Sequence, residues 1–217
     1  MLQRYTWFRH ASFRWAGDGL SLYIDPWELP GDNPPADVIF ITHGHYDHFQ
    51  KDDIEKLRKD DTAIVATRDV AGQLSGSVTA VGPGQSDEVK GVRFQTVPAY
   101  NIVEGRTENH PKASGFVGYL LELEGRTYYH AGDTDHLPEL ESVRTQVAFL
   151  PIGGATFTMD VPEAVGLARA MSPGLAVPMH YGGYVEGTGP PSDGEAFRRD
   201  ADPVPVEVMT PVDPFPG

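Results

Sequence analysis

The stretch VIFITHGHYDHF, residues 38–49, constrains this chain more than any other. Residues 38–42 are an unbroken β-favouring, mostly apolar run of strand length, which reads as a buried strand. The run leads directly into His43, His45, Asp47 and His48, and three of the chain's eight histidines fall within six residues. Carboxylate and imidazole are good metal donors at neutral pH, because the first is already ionised and the second loses its proton at modest cost. The first two histidines are two apart, and Gly44 between them permits a tight turn, so both rings converge on one ion. Asp47 and His48, adjacent at the start of a predicted helix, face a second. A set of solvated surface histidines is the competing reading. It is the weaker one, because a strand end followed by HxHxDH is among the more specific short metal signatures.

Composition narrows the donor set. There is no cysteine, so disulfides and thiolate ligands are excluded and any metal rests on His, Asp or Glu. The 217 residues, 40% of them hydrophobic, suffice for a sizeable core. No apolar run approaches the ~18 residues of a membrane span, and MLQRYTWFRH lacks the apolar core of a signal peptide, so a soluble cytoplasmic protein is expected. A net charge of −14 repels nucleic-acid backbones and anionic membranes, which points to a small-molecule partner.

Turn residues (24 Gly, 19 Pro) are spread along the chain without a linker or repeat, so one domain spanning 1–217 is expected. Strands are predicted at 3–8, 12–16, 20–25, 37–42, 62–67, 77–80, 87–90, 92–98, 115–124, 126–130, 146–151, 174–180 and 205–209. Helices are predicted after residue 47, from 68 to about 75, over 161–172 and over 192–200. Strands first, then a mixture of strands and helices, suits two sheets packed face to face with helices outside. The aperiodic stretch 99–114 is longer than a structural loop needs, which marks it as functional.

Two ions need more donors than four. His180 ends an apolar strand as His43 does, His110 lies in the long loop, and Asp133 follows a strand in the turn AGDTD, where its carboxylate could bridge two ions. His130 inside a strand and His136 past the turn read as bystanders or as supports behind a ligand.

THGHYDHF, a later histidine, GDTD and PMHYG together resemble the metallo-β-lactamase superfamily of hydrolases. More narrowly, WFRHASFRW (7–15), LYIDPW (22–27), VPAYN (97–101), HPK (110–112), GFVGYLLEL (115–123), YYHAGDTD (128–135) and VPMHYGG (177–183) resemble its L-ascorbate-6-phosphate-lactonase-like branch of metal-dependent hydrolases. The resemblance implies an α/β, four-layer αββα sandwich with metals at one edge. It implies His43, His45 and His110 on one ion, Asp47, His48 and His180 on the other, and Asp133 bridging. It makes Asp25 a support for the ligand loop and places His10 at the pocket. Relatives in that branch are often homo-oligomers.

The chemistry implied is hydrolysis of a small anionic ester, lactone or phosphodiester by a water shared between two divalent ions about 3.5–4 Å apart. Asp47 would orient that water, and His10 or a second water would protonate the leaving group. Lys112 and Tyr100 in the 99–114 loop are candidates to grip an anionic substrate group. Arg106 is expected on the solvated face of that loop. Zinc is the default metal, with manganese, iron and nickel as alternatives. The competing functions are an iron-dependent redox enzyme (dioxygenase-like) on the same fold and a non-catalytic metal-binding module.

Overall fold

The computed structural model describes residues 1–154 and 156–216. One sheet runs, in spatial order, β1 (Tyr5–Arg9), β2 (Ser12–Gly17), β3 (Leu20–Ile24), β4 (Val38–Ile41), β5 (Ala63–Thr67) and β6 (Val78–Val81). The other sheet is formed by β7 (Ser86–Val89), β8 (Val92–Pro98), β9 (Val117–Leu123), β10 (Arg126–His130), β11 (Val147–Pro151) and β12 (Leu175–Met179), side by side in chain order. Both are mixed. β1–β2–β3 and β7–β8–β9–β10 pair antiparallel, whereas β3–β4–β5–β6 and β10–β11–β12 pair parallel. Tight turns set the antiparallel registers. Asp18-Gly19, Lys90-Gly91 and Glu124-Gly125 each place both residues at positive φ, the hairpin geometry that matches strand twist.

The unbroken apolar run of β4 now has its reason. Val38 and Phe40 face the other sheet, where Phe40 packs on Phe94 and Tyr119 with ring centroids 5.3 and 4.9 Å away. Ile39 and Ile41 face outward and meet Ile54 and Leu57 of α1 (Lys51–Leu57) and Val70 of α2 (Arg68–Ala71). A strand buried on both faces needs apolar side chains at every position. The second sheet is covered by α3 (Val161–Met171) and α4 (Ser192–Asp200), so the layers run α, β, β, α as expected. A reciprocal pair at the start of α3, Asp160 with Glu163, satisfies two of its free backbone N–H groups.

Strand direction decides where function can sit. From the pairings, β1, β3 and β4 run the same way in one sheet, and β8, β10 and β12 do so in the other. Their carboxyl ends share one rim of the sandwich. Across that rim the sheets are tied by Val117 N–H to the Thr42 carbonyl (3.2 Å), the Tyr119 hydroxyl to the Ile41 carbonyl (2.8 Å) and His180 N–H to the His10 carbonyl (3.0 Å).

Two expectations are corrected. Asp47 and His48 do not start a helix; they lie in a separate turn, and α1 begins only at Lys51 after the extended residue Gln50. Segment 205–209 is not a strand. It touches β12 through one bridge, Ala176 with Val206, and Pro205 lacks the N–H needed to extend a ladder. Among the described residues no helix is long and apolar enough to cross a membrane.

Gly118 in β9 lies against the chain leaving β10. A methyl group there would sit 2.6 Å from the Ala131 carbonyl oxygen and 2.7 Å from that of His130, both backbone atoms with no room to move. Gly118→Ala is therefore expected to destabilise the fold by about 1–3 kcal/mol, read as a lower denaturant midpoint with an unchanged slope.

Candidate metal centre

The turn after β4 is closed by the His48 and Phe49 N–H groups, both donating to the His45 carbonyl at 3.0 and 2.9 Å. Phe49 drops into the outer core beside Ile54 and anchors the turn. Gly44 does not adopt a left-handed conformation. A Cβ there would lie 2.6 Å from the carboxylate of the exposed Asp69, which would have to swing aside. The left-handed residues are elsewhere: His10, Asp25 and His180 have φ of 46°, 46° and 59°. Such backbone costs about 1–3 kcal/mol per non-glycine residue and concentrates at functional positions. Here each follows a strand end at the same rim. Gly153 makes room for one of them, since a Cβ there would meet the His180 carbonyl at 2.4 Å and its Nδ1 at 2.6 Å.

Asp133 is the centre of the arrangement. Its Oδ2 is 3.0 Å from His180 Nε2, 3.2 Å from His110 Nε2 and 3.9 Å from His43 Nε2, and its Oδ1 is 3.3 Å from His48 Nε2. Asp47 Oδ2 lies 3.8 Å from His48 Nε2 and 3.7 Å from His180 Nε2. His43, His45 and His110 form one convergent donor group, and Asp47, His48 and His180 belong to another that also includes His10. The predicted donors are thus brought together from four separate parts of the chain.

Nε2 of His43, His48, His110 and His180, with Asp133 Oδ1, are buried and have no hydrogen-bond partner. Buried polar atoms are ordinarily satisfied, so such a set converging on one place calls for a cation. Nitrogen and oxygen donors without thiolate fit a divalent ion.

Electrostatics agree. Burial alone would raise both aspartates, but His48, His10 and His180 hold Asp47 well below the usual carboxylate range, and His180, His48 and His110 do the same for Asp133. His48 is lowered by burial yet driven well above its ordinary value by Asp133, Asp47 and Asp25. Burial and the neighbouring His48 keep the His43 imidazole neutral. A bound cation would take over the charge balance that the protonated histidine otherwise supplies, and its binding would release protons.

Behind the donors stands a ring of hydrogen bonds. Asp25 accepts from Thr42 N–H (2.8 Å) and Thr42 Oγ1 (2.6 Å), and its Oδ2 is 2.8 Å from His48 Nδ1. It therefore orients both a ligand ring and the ligand-loop backbone. His110 Nδ1 is 2.8 Å from Asn101 Oδ1, and the Asn101 amide donates to Asp135 (3.0 Å) and to the Phe157 carbonyl (3.1 Å). Asp135 also takes the N–H groups of Ile102 and Val103 at 2.7 and 2.9 Å. Sequence reasoning missed Thr42, Asn101 and Asp135, although the last two lie within the VPAYN and GDTD motifs. His130 touches no donor atom. It bonds the Ala11 carbonyl at 3.0 Å and accepts from Gly132 N–H, fixing the backbone next to His10 and Asp133.

Other expectations need revision. Arg106 is not solvated. Its buried guanidinium pairs with Glu163 through both terminal nitrogens (2.9 and 2.6 Å), bonds the Thr158 carbonyl and lies 3.2 Å from Asp135. Two carboxylates among loop, turn and helix made burial affordable, and their positions were not visible in sequence. His10 is fully buried, 3.0 Å from Asp47 Oδ2, with its ring 3.8 Å from that of His180. Burial and His180 push it down to about 3, so it is neutral and donates to Asp47. Lys112 and Tyr100 pair with each other (3.0 Å), and the Tyr100 hydroxyl donates to Glu139 (2.6 Å). Neither lines the cavity of about 210 Å³ that opens on the cluster. Its floor is His45, Asp47, His110 and Asp133, and its walls are Tyr46, Asn109, Phe157 and Val185. His136 stands apart, bonded to Glu141 at 2.9 Å.

A two-sheet sandwich with helices outside and a His/Asp cluster at its rim defines the metallo-β-lactamase class. The model for the β-lactamase superfamily domain matches residues 4–180. A UPF0173 metal-dependent hydrolase of Methanopyrus kandleri is 34% identical over 225 residues, covering 94% of each chain. The chain belongs to the β-lactamase superfamily and, within it, to the UPF0173 metal-dependent hydrolase family. Among solved structures, a candidate metal-dependent hydrolase of Parabacteroides distasonis is similar at TM-score 0.84 and 30% identity, over 94% of this chain and 91% of that one. A metallo hydrolase of Ignicoccus hospitalis shares the fold at TM-score 0.78 and 24% identity, over 98% and 95%.

Asp25→Ala leaves His48 without its partner and frees the ligand loop. Metal affinity measured by chelator competition is expected to fall about 10–100-fold. An unchanged affinity would mean that the Asp25–His48 bond is idle.

Proposed function

We propose that this protein is a two-metal hydrolase of the L-ascorbate-6-phosphate-lactonase-like type, opening a small ester, lactone or phosphodiester. The observation that carries the reading is Asp133, a buried carboxylate lying between the two donor groups, 3.2 Å from His110 Nε2 of one and 3.0 and 3.3 Å from His180 and His48 Nε2 of the other, nitrogens that have no hydrogen-bond partner. In this reading His43, His45 and His110 would hold one ion, Asp47, His48 and His180 would hold the other, and Asp133 would serve both. Zinc is the preferred occupant of an all-nitrogen-and-oxygen site with open positions, with manganese, iron and nickel next. Bound divalent ions supply a water acidic enough to be a nucleophile at neutral pH and Lewis acidity toward the substrate.

The chain's own residues do the rest. Asp47, kept ionised, accepts a hydrogen bond from the attacking water and orients it. His10, fully buried and outside the lining of the cavity, positions Asp47 through its hydrogen bond, which leaves protonation of the leaving group to a second water. Asp25 and Asn101 hold His48 and His110 in the tautomer that presents Nε2 to the ion. The whole chain acts as one cytoplasmic domain on a small molecule, without nucleic acid or membrane, in keeping with its net charge of −14.

The test is metal analysis of the purified protein, followed by a panel of lactones, phosphodiesters and thioesters assayed with the metal found. Turnover of one class without oxygen uptake supports the reading. Bound iron with oxygen consumption would replace it with a redox function. Full metal loading with no turnover anywhere would leave a binding module. Asp133→Ala is expected to abolish two-metal binding and activity together, and a variant keeping both ions would sink the bridging role. His136→Ala, remote from the cluster, should change metal content and rate by less than about twofold.

A further inference from the structure

The cavity over the metal cluster is built unevenly. Its floor consists of metal donors, whereas Tyr46, Phe157 and Val185 provide most of its wall, with Asn109 the one polar exception. Among the described residues no lysine or arginine lines it. Basic side chains elsewhere along the site-bearing loops are already committed. Both terminal nitrogens of Arg106 are taken by Glu163. Lys112 lies over the Tyr100 ring, 4.6 Å from its centroid, and bonds its hydroxyl. Arg9 is held between the Trp27 and Tyr184 rings (4.9 and 5.0 Å) and paired with Glu28 and Asp213.

The apolar wall is a built surface. Phe157 has its carbonyl bonded to Asn101, the residue that orients His110, and its ring lies against Gly187, where a Cβ would be 3.4 Å away. Asn109 ties the same loop through the Thr156 carbonyl at 2.8 Å. Tyr46 is 59% exposed and leans edge-on against Trp27 (centroids 6.0 Å apart), leaving a large aromatic ring facing water at the mouth.

We infer that the part of the substrate remote from the scissile bond is small, uncharged and apolar, a short alkyl chain or a single ring, recognised by Tyr46, Phe157 and Val185. This rests on the metal-hydrolase reading for the floor of the cavity, but it departs from the anionic substrate expected from sequence. A carboxylate or phosphate in that position would lose water and meet no counter-charge from the protein. A volume of about 210 Å³ is also below the ~300–1,000 Å³ of pockets for drug-sized ligands, which limits the group to a few carbons or one ring.

Two metal-binding probes of equal length separate the possibilities without requiring turnover. Butyrohydroxamic acid ends in a methyl group, and succinic acid monohydroxamate ends in a carboxylate. With the zinc-loaded full chain, calorimetry is expected to show the butyryl probe binding about tenfold or more tighter. Phe157→Ala and Val185→Ala should shrink that ratio toward one with metal content unchanged, and Val185→Lys should reverse it. Equal or tighter binding of the succinyl probe to the unmodified protein would overturn the inference. So would a ratio that none of the three variants moves. Binding of neither probe would remove the metal floor and the inference with it. A preserved butyryl preference without hydrolysis of any ester, lactone or phosphodiester would uphold the inference and refute the hydrolase reading.

Discussion

A carboxylate buried as deeply as Asp133 can exist only among positive charge or hydrogen-bond donors. The sandwich provides them from strand ends in both sheets: His43 and His48 follow β4, His110 follows β8 and His180 follows β12. Nε2 of each of these four histidines nonetheless lacks a hydrogen-bond partner. Much of the rest of the structure can be read as the means of keeping these rings in place. Asp25 fixes the first loop, Asn101 fixes the long loop, and Gly153 gives the last histidine room for its left-handed backbone.

The long loop shows how far that support extends. From His110 a chain of contacts passes through Asn101 to Asp135, from there to Arg106 and on to Glu163 at the start of α3. Glu163 also completes the cap of that helix. A helix terminus, a loop and a metal donor are thereby fixed by one polar network. Members of such a network are coupled, so loss of one weakens the hold on the others.

Much of this was readable from residues alone. The doubly buried β4, the HxHxDH turn, the strand-ending His180 and the AGDTD turn carry signals of period and spacing, because those depend on neighbours in sequence. What stayed hidden depends on partners far along the chain. Arg106 looked like a solvated loop cation because Glu163 and Asp135 are distant in sequence. Lys112 looked like a substrate anchor because its proximity to His110 in sequence says nothing of its turn toward Tyr100. Segment 205–209 has strand-like composition, yet the imino nitrogen of Pro205 limits it to a single bridge on β12.

The shared direction of β1, β3, β4, β8, β10 and β12 has a consequence for how the molecule can change. Three of the tight hairpins, Asp18-Gly19, Lys90-Gly91 and Glu124-Gly125, fall at the far rim and contribute nothing to the metal cluster, whereas the His10-Ala11 turn between β1 and β2 lies at the rim that carries it. The sandwich thus has a working end and an indifferent end. Turns at the indifferent end can be lengthened or trimmed without touching the arrangement of donors. At the working end, a change in the 99–114 loop reaches the donor cluster through Asn101 and His110.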